Sequence, residues 1–282
     1  MAHRKLDMGL AWTQATGLIG ANRDTIGAIA GLFFFLPSLA SALLVPELGN
    51  PPQPAPAGAD PQAAMRAMMD QMSATYAANW PLLLALVAAQ FVGSMSLFAL
   101  LTDRGNPTVG EALRTGLAST PSYLAAQVIA VLGGALAIGI PLGVISALGG
   151  AAVAVLAVVA AMVMIVYVMV KLSLAAPVIA IEGSRNPFAA LGRSWQLTKG
   201  NSLRIALFIA LLLLVIGIIA ALVTGVLALV LAALGDTAAT IGGGIVNALV
   251  NTLLTVVFLV VTVAIYRQLA AASPERAAEL FE

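Results

Sequence analysis

Apolar residues along this chain come in six long runs, separated by short polar stretches that hold nearly all of the charge. The runs cover about residues 25–45, 81–101, 123–148, 151–181, 203–234 and 241–266. Each is long enough to cross about 30 Å of hydrocarbon as a helix. Inside hydrocarbon the backbone has no water to bond, so helix is the form open to such runs. Four amphipathic segments lie beside them, at about 6–20, 62–79, 107–118 and 187–199. The last has the clearest pattern. Asn186 is an N-cap residue and Pro187 fits the first helical position. Phe188, Leu191, Trp195 and Thr198 then share one side, with Arg193 and Gln196 opposite, and Gly200-Asn201 supplies the stop. Such a helix, set between two spans, is expected to lie flat at the lipid surface.

Asn106-Pro107 begins the same pattern earlier in the chain, with Val109 and Leu113 on the apolar face and Glu111 and Arg114 on the polar one. Residues 6–20 are a looser third copy. The pattern predicts an all-α polytopic membrane protein: six transmembrane helices in three repeats, each an amphipathic surface helix followed by a helical hairpin. One transmembrane domain is expected over 1–270, with a short tail at 271–282. PPQPAPAGADP at 51–61 is a stiff linker. Ala40-Ser41-Ala42 has the small-residue spacing of a signal-peptidase site, but the charged region before it is long and the helix recurs, which favours a retained span.

Composition sharpens this picture. The chain is 61% hydrophobic and 9% charged, outside the range of soluble domains. A net charge of +1 gives no field that would draw nucleic acid, and none is expected as a partner. The absence of Cys removes disulfides, thiolate metal sites and Cys nucleophiles together. Charge distribution then sets orientation. With the N-terminus in the cytoplasm, every Lys and Arg except Arg66 and Lys171 falls on the cytoplasmic side, and Glu47, Asp60, Asp70 and Asp236 fall outside. Both termini are expected to be cytoplasmic, in a multi-pass protein.

Catalytic chemistry finds little to work with. The one His is His3, near the terminus, and no Asp or Glu lies within a span. A Ser nucleophile therefore lacks a base, a carboxylate pair lacks its members, and no Gly-rich phosphate loop is present. No enzyme activity, cofactor or metal centre is expected. Met65, Met68, Met69 and Met72 have thioethers that suit Cu(I), or form an adaptable apolar helix face. The stripes Gly139-xxx-Gly143-xxx-Ala147 and Gly217-xxx-Ala221-xxx-Gly225 read as helix-packing surfaces within the bundle, or as contacts between copies. Gln90, Asn247, Asn251 and Thr255 are polar groups in hydrocarbon, suited to interhelical hydrogen bonds or to a polar path.

Lys171 is the charged residue inside a span, about eleven residues before Glu182 and so roughly 16 Å along the helix, near mid-bilayer. Its side chain tilts toward Tyr167, one turn back. Gln90 and Thr255 are expected at similar depth as oxygen donors, and Pro177 frees the carbonyl of Ser173. An ammonium there is either neutral, held by oxygens, or paired with an anionic ligand. Arg114, Arg193, Trp195 and Lys199 on the surface helices are expected to meet anionic headgroups at the cytoplasmic face.

One stretch carries a resemblance. The order Lys171, Ser173, Pro177, Glu182-Gly183, Pro187, Ala190, Arg193-Ser194-Trp195, Leu197-Thr198 and Lys199-Gly200 is similar to the signature of the membrane domain of bacterial glycerophosphodiester phosphodiesterases and its stand-alone YciC-like relatives. The likeness implies a bacterial inner-membrane protein connected with lipid or envelope upkeep. The catalytic barrel of the fused relatives is not expected in the roughly fifteen residues after Arg267, so the resemblance is not expected to bring the enzyme activity with it. The reading is a non-catalytic membrane protein that engages lipid, or a membrane-protein partner, through its surface helices and Lys171. The alternative is a transporter or channel with a path through the bundle.

Overall fold

The structure is a computed structural model and describes residues 5–46, 60–102 and 107–271. The linker at 51–59, Asn106 and the tail from 272 onward lie outside the described residues. Among the described residues every regular element is helical. In chain order they are α1 (Met8–Ala21), α2 (Arg23–Ala30), α3 (Leu36–Leu44), α4 (Pro61–Leu100), α5 (Val109–Gly134), α6 (Ile140–Leu148), α7 (Ala151–Leu172), α8 (Ala175–Glu182), α9 (Pro187–Leu197), α10 (Ser202–Ala233) and α11 (Asp236–Ala270). Among the described residues, six continuous or joined helices are long and apolar enough to cross a membrane: Arg23–Leu44, Gln62–Leu100, Val109–Leu148, Ala151–Glu182, Ser202–Ala233 and Asp236–Ala270.

Proline acts differently at different places. Single π-turns at Gly31–Phe35 and Ala135–Gly139 join α2 to α3 and α5 to α6. Pro37 and Pro141 follow them and give no amide to Phe33 or Ala137, so the ladder widens there without breaking. Pro81 and Pro121 sit inside α4 and α5. The expected surface helices 62–79 and 107–118 are therefore continuous with the spans that follow them. Each proline removes one donor, and the flanking turns carry on. Span four behaves in the opposite way. Expected to be continuous over 151–181, it breaks at Ser173–Leu174, and α8 restarts with Pro177 in its first turn.

α5 starts two residues later than the Asn106-Pro107 signal suggests. Thr108 is its N-cap, and a capping box links the Thr108 hydroxyl to the Glu111 amide and the Glu111 carboxylate to the Thr108 amide. α9 starts as expected, with Asn186 Oδ1 accepting from the amides of Phe188 and Ala189 at 3.0 and 3.4 Å. In α1 the cap is Asp7, which accepts from the Leu10 amide at 3.0 Å. Counted from these caps, the residues four and eight places on are Ala11 and Ala15, Ala112 and Gly116, and Ala190 and Ser194, and all six are buried. The inward face of each helix is thus its small-residue face. On α9, Phe188 is 68% exposed and Trp195 also points outward, while Ala190, Ser194 and Leu197 pack inward; Thr198, expected on the apolar side with Phe188 and Trp195, is buried instead. Small residues win because the contact is a close one. A Cβ on Gly116 would lie 2.1 Å from Ser96 Oγ and 2.6 Å from the Ser96 amide.

The chain divides into two compact units, Met1–Arg23, Ser94–Val215 and Val257–Glu282 in the first, Asp24–Gly93 and Ile216–Val256 in the second. The core of the first gathers Met95–Leu101, most of α8, and the run Leu259–Tyr266 of α11 around the small-residue faces just described. α1 is tied down from both sides. The Leu6 amide donates to Asn201 Oδ1 at 2.9 Å, and Arg204 donates to the Leu6 carbonyl at 3.2 Å. Gln268 exchanges two hydrogen bonds with the Asp7 backbone. In the second unit, Gly93 packs on Phe33 and Gly242 on Leu231. The glycine stripes assigned to packing within the bundle do not serve it: a Cβ at Gly139, Gly143, Gly217 or Gly225 would meet nothing within 4 Å. Spacing of small residues is the same on a lipid-facing helix as on a packed one.

Candidate functional site

The break in span four builds the most unusual local chemistry in the first unit. Ending α7 at Leu172 leaves the Lys171 carbonyl without its helical donor, and starting α8 anew leaves the Leu174 amide without its acceptor. α9 supplies both from one atom. Ser194 Oγ donates to the Lys171 carbonyl at 2.7 Å and accepts from the Leu174 amide at 3.2 Å. Thr198 Oγ1 lies 3.5 Å from the same carbonyl and 3.0 Å from its own helix at Ser194 O. Ser194 and Thr198 are fully enclosed. The hydroxyl face of α9 is therefore what holds the interruption open at a fixed geometry.

Lys171 sits in the last turn of α7, where the helix carbonyls favour a cation. The residue is 3% exposed. Its Nζ lies 5.5 Å from the centroid of the Tyr167 ring and 5.3 Å from that of Trp195. Those rings meet edge to face, centroids 5.9 Å apart and planes at 88°. Tyr167 comes from one turn back on α7; Trp195 arrives from α9 beside Ser194. Two rings attract a desolvated ammonium by about 2 kcal/mol each, against a cost of about 3 kcal/mol for Lys in the bilayer interior. They answer its charge and leave its hydrogens unanswered. Among the described residues, no oxygen accepts from the Lys171 ammonium, the Tyr167 hydroxyl or the Trp195 indole N–H. The buried ammonium therefore sits between two ring faces with no hydrogen-bonded oxygen among the described residues. Both rings are more than 40% exposed, so the cluster is reached from outside the protein.

The other residues singled out from the sequence fall elsewhere. Glu182 and Arg193 engage each other at 3.5 Å, and Tyr266 donates to the same Glu182 oxygen at 2.8 Å. These contacts join α8, α9 and α11. Lys199 is exposed just past the end of α9. Arg114, on α5, lines a separate cavity with Arg185. Gln90 and Thr255 belong to the second unit. Gln90 lines a small polar cavity there with Ser38, Ser41, Asn247 and Asn251, and Thr255 Oγ1 donates to the Asn251 carbonyl at 2.8 Å. The four methionines of α4 stay exposed. Ser194 was missed in the sequence as the residue that closes the break. A hydroxyl four residues after a buried Ala, on a helix that begins at a strong cap, is the signal that marks it.

The family described as Domain of unknown function (DUF7847) matches residues 108–269. The chain belongs to this family. The matched segment begins at the Thr108 cap, ends in α11, and encloses the α5 and α9 small-residue faces with the whole Lys171 cluster. No curated protein and no solved structure matches the chain.

Proposed function

We propose that the protein is a non-catalytic integral membrane protein of the bacterial inner membrane that binds an anionic, acceptor-rich lipid headgroup at Lys171, Tyr167 and Trp195. The observation that carries this reading is the buried Lys171 ammonium, set between two exposed rings with no oxygen accepting from it among the described residues. A buried cation without a hydrogen-bonded partner is costly, and a phosphate oxygen would supply the acceptor it lacks. Exposed Phe188 and Trp195 on α9 suit contact with acyl chains, and Lys199 beside them suits an anionic surface.

The basic-residue bias supports an orientation with both termini cytoplasmic. The caps at Asp7, Thr108 and Asn186, each followed by small buried residues at the same two places, support an origin in three repeats. The likeness of the Lys171–Gly200 stretch to the phosphodiesterase membrane-domain family supports the bacterial inner membrane as the location. A second reading, a path for a polar solute, is favoured by the cavity of about 200 Å³ at Ser38, Gln90, Asn247 and Asn251.

The test of the lipid reading uses a single-tryptophan variant, Trp12→Phe with Trp80→Phe, reconstituted with brominated lipids. Trp195 fluorescence should be quenched more by brominated phosphatidylglycerol than by brominated phosphatidylcholine, and Lys171→Met should remove that difference. Equal quenching by the two lipids in the parent contradicts the headgroup reading.

A further inference from the structure

A second cavity of the first unit, of about 410 Å³, lies between the opening turns of α5 and the turn that follows α8. It falls within the size range of small-molecule pockets, roughly 300–1,000 Å³. α8 ends at Gly183 in the left-handed conformation, φ 71°, which swings Ser184 and Arg185 toward α5. The cavity is lined by Arg114, Arg185, Glu111, Ser119, Ser122 and Ser184, over an apolar floor that includes Ile179. Neither guanidinium has a hydrogen-bond or ion-pair partner among the described residues. Glu111 is held in place through one oxygen, Oε2, which accepts from the Thr108 amide at 2.9 Å and the Thr108 hydroxyl at 3.0 Å. Its other oxygen has no donor there.

We propose that this cavity is a binding site for a phosphate ester whose alcohol ends in an ammonium, the phosphoethanolamine group. Two free arginines and the serine hydroxyls offer the planar and bidentate donors that phosphate takes. The exposed Glu111 carboxylate beside them repels a simple phosphate and favours a ligand that carries its own cationic donor. A zwitterion with its charges a few bonds apart satisfies both. The group reaches the protein either as the headgroup of phosphatidylethanolamine or as the free phosphoester. The inference extends the lipid-binding reading given above but involves none of the residues of the Lys171 cluster.

The experiment uses the full chain purified in a maltoside detergent and titrated with dihexanoyl phosphatidylethanolamine, the matching phosphatidylglycerol and phosphatidylcholine, and O-phosphoethanolamine. The ethanolamine lipid should bind about tenfold tighter than the other two lipids, the value of one charge-assisted hydrogen bond. Glu111→Gln keeps the capping box, because Gln serves at that position, and should bring the three lipids to within about twofold of one another. Arg114→Gln with Arg185→Gln should weaken the ethanolamine lipid at least tenfold while the thermal unfolding of the protein is unchanged. O-Phosphoethanolamine binding as tightly as the lipid identifies the free ester as the ligand; weaker binding identifies the headgroup. Lys171→Met should retain the full preference, so its failure to lose bound anionic lipid counts against the Lys171 reading alone. Equal affinity for the three lipids in the parent, or a preference untouched by Glu111→Gln, overturns the proposal.

Discussion

Replacing Ser194 by Ala removes the one atom that answers both sides of the break in span four. The Lys171 carbonyl loses a donor at 2.7 Å and the Leu174 amide loses an acceptor at 3.2 Å. Both groups are enclosed, and a buried backbone group left unmet costs about 1–3 kcal/mol. Thr198 Oγ1, at 3.5 Å from the same carbonyl, can turn to it and recover part of one loss. The expected destabilisation is therefore about 2–4 kcal/mol. Thr198→Ala removes only the weaker contact and should cost about 1 kcal/mol or less. Equilibrium unfolding of each variant in mixed micelles, from detergent toward dodecyl sulfate, measures both. A Ser194→Ala cost under about 0.5 kcal/mol, or one equal to that of Thr198→Ala, would refute the claim that this hydroxyl closes the break.

Glycine substitutions give a contrast within one helix pair. Gly116→Ala must push α5 off Ser96 and should cost about 1–3 kcal/mol, whereas Gly139→Ala and Gly143→Ala meet open space and should stay within about 0.5 kcal/mol of the parent in the same unfolding assay. Leu6 anchors α1 through Asn201, so Asn201→Ala should raise protease sensitivity of the N-terminal segment by at least tenfold while leaving the spans intact. Topology is read from single Cys residues placed at Gln62, Arg114 and Gln196 in this Cys-free chain. An impermeant maleimide on intact cells should label position 62 alone, and labelling at 114 or 196 without 62 would reverse the orientation.

The spans were legible because length and hydropathy decide them and nothing later in folding reverses either. Where the ladder breaks was not, since Pro81 and Pro121 lie inside unbroken helices while Pro177 falls in the first turn of α8, and the ends freed at the break before it are met by Ser194 from another helix. Tyr167 was found from its place one turn before Lys171. Trp195 joins the same cluster from another helix, a meeting no local spacing reveals. The inward face of α9 was not legible, because apolar periodicity points to Phe188, Leu191 and Trp195, the face expected to meet lipid. In a membrane an apolar face is as well satisfied by lipid as by protein, so close packing falls to Ala190 and Ser194 instead.

The most direct test of the account is native mass spectrometry of the protein released from mild detergent, parent beside Lys171→Met. Met keeps the length of the side chain and removes its charge and donors. The account predicts a parent that retains an anionic phospholipid and a variant that folds and purifies equally well without it. A variant as fully loaded with anionic lipid as the parent would contradict it, and Lys171 would then be a structural residue held by its two rings.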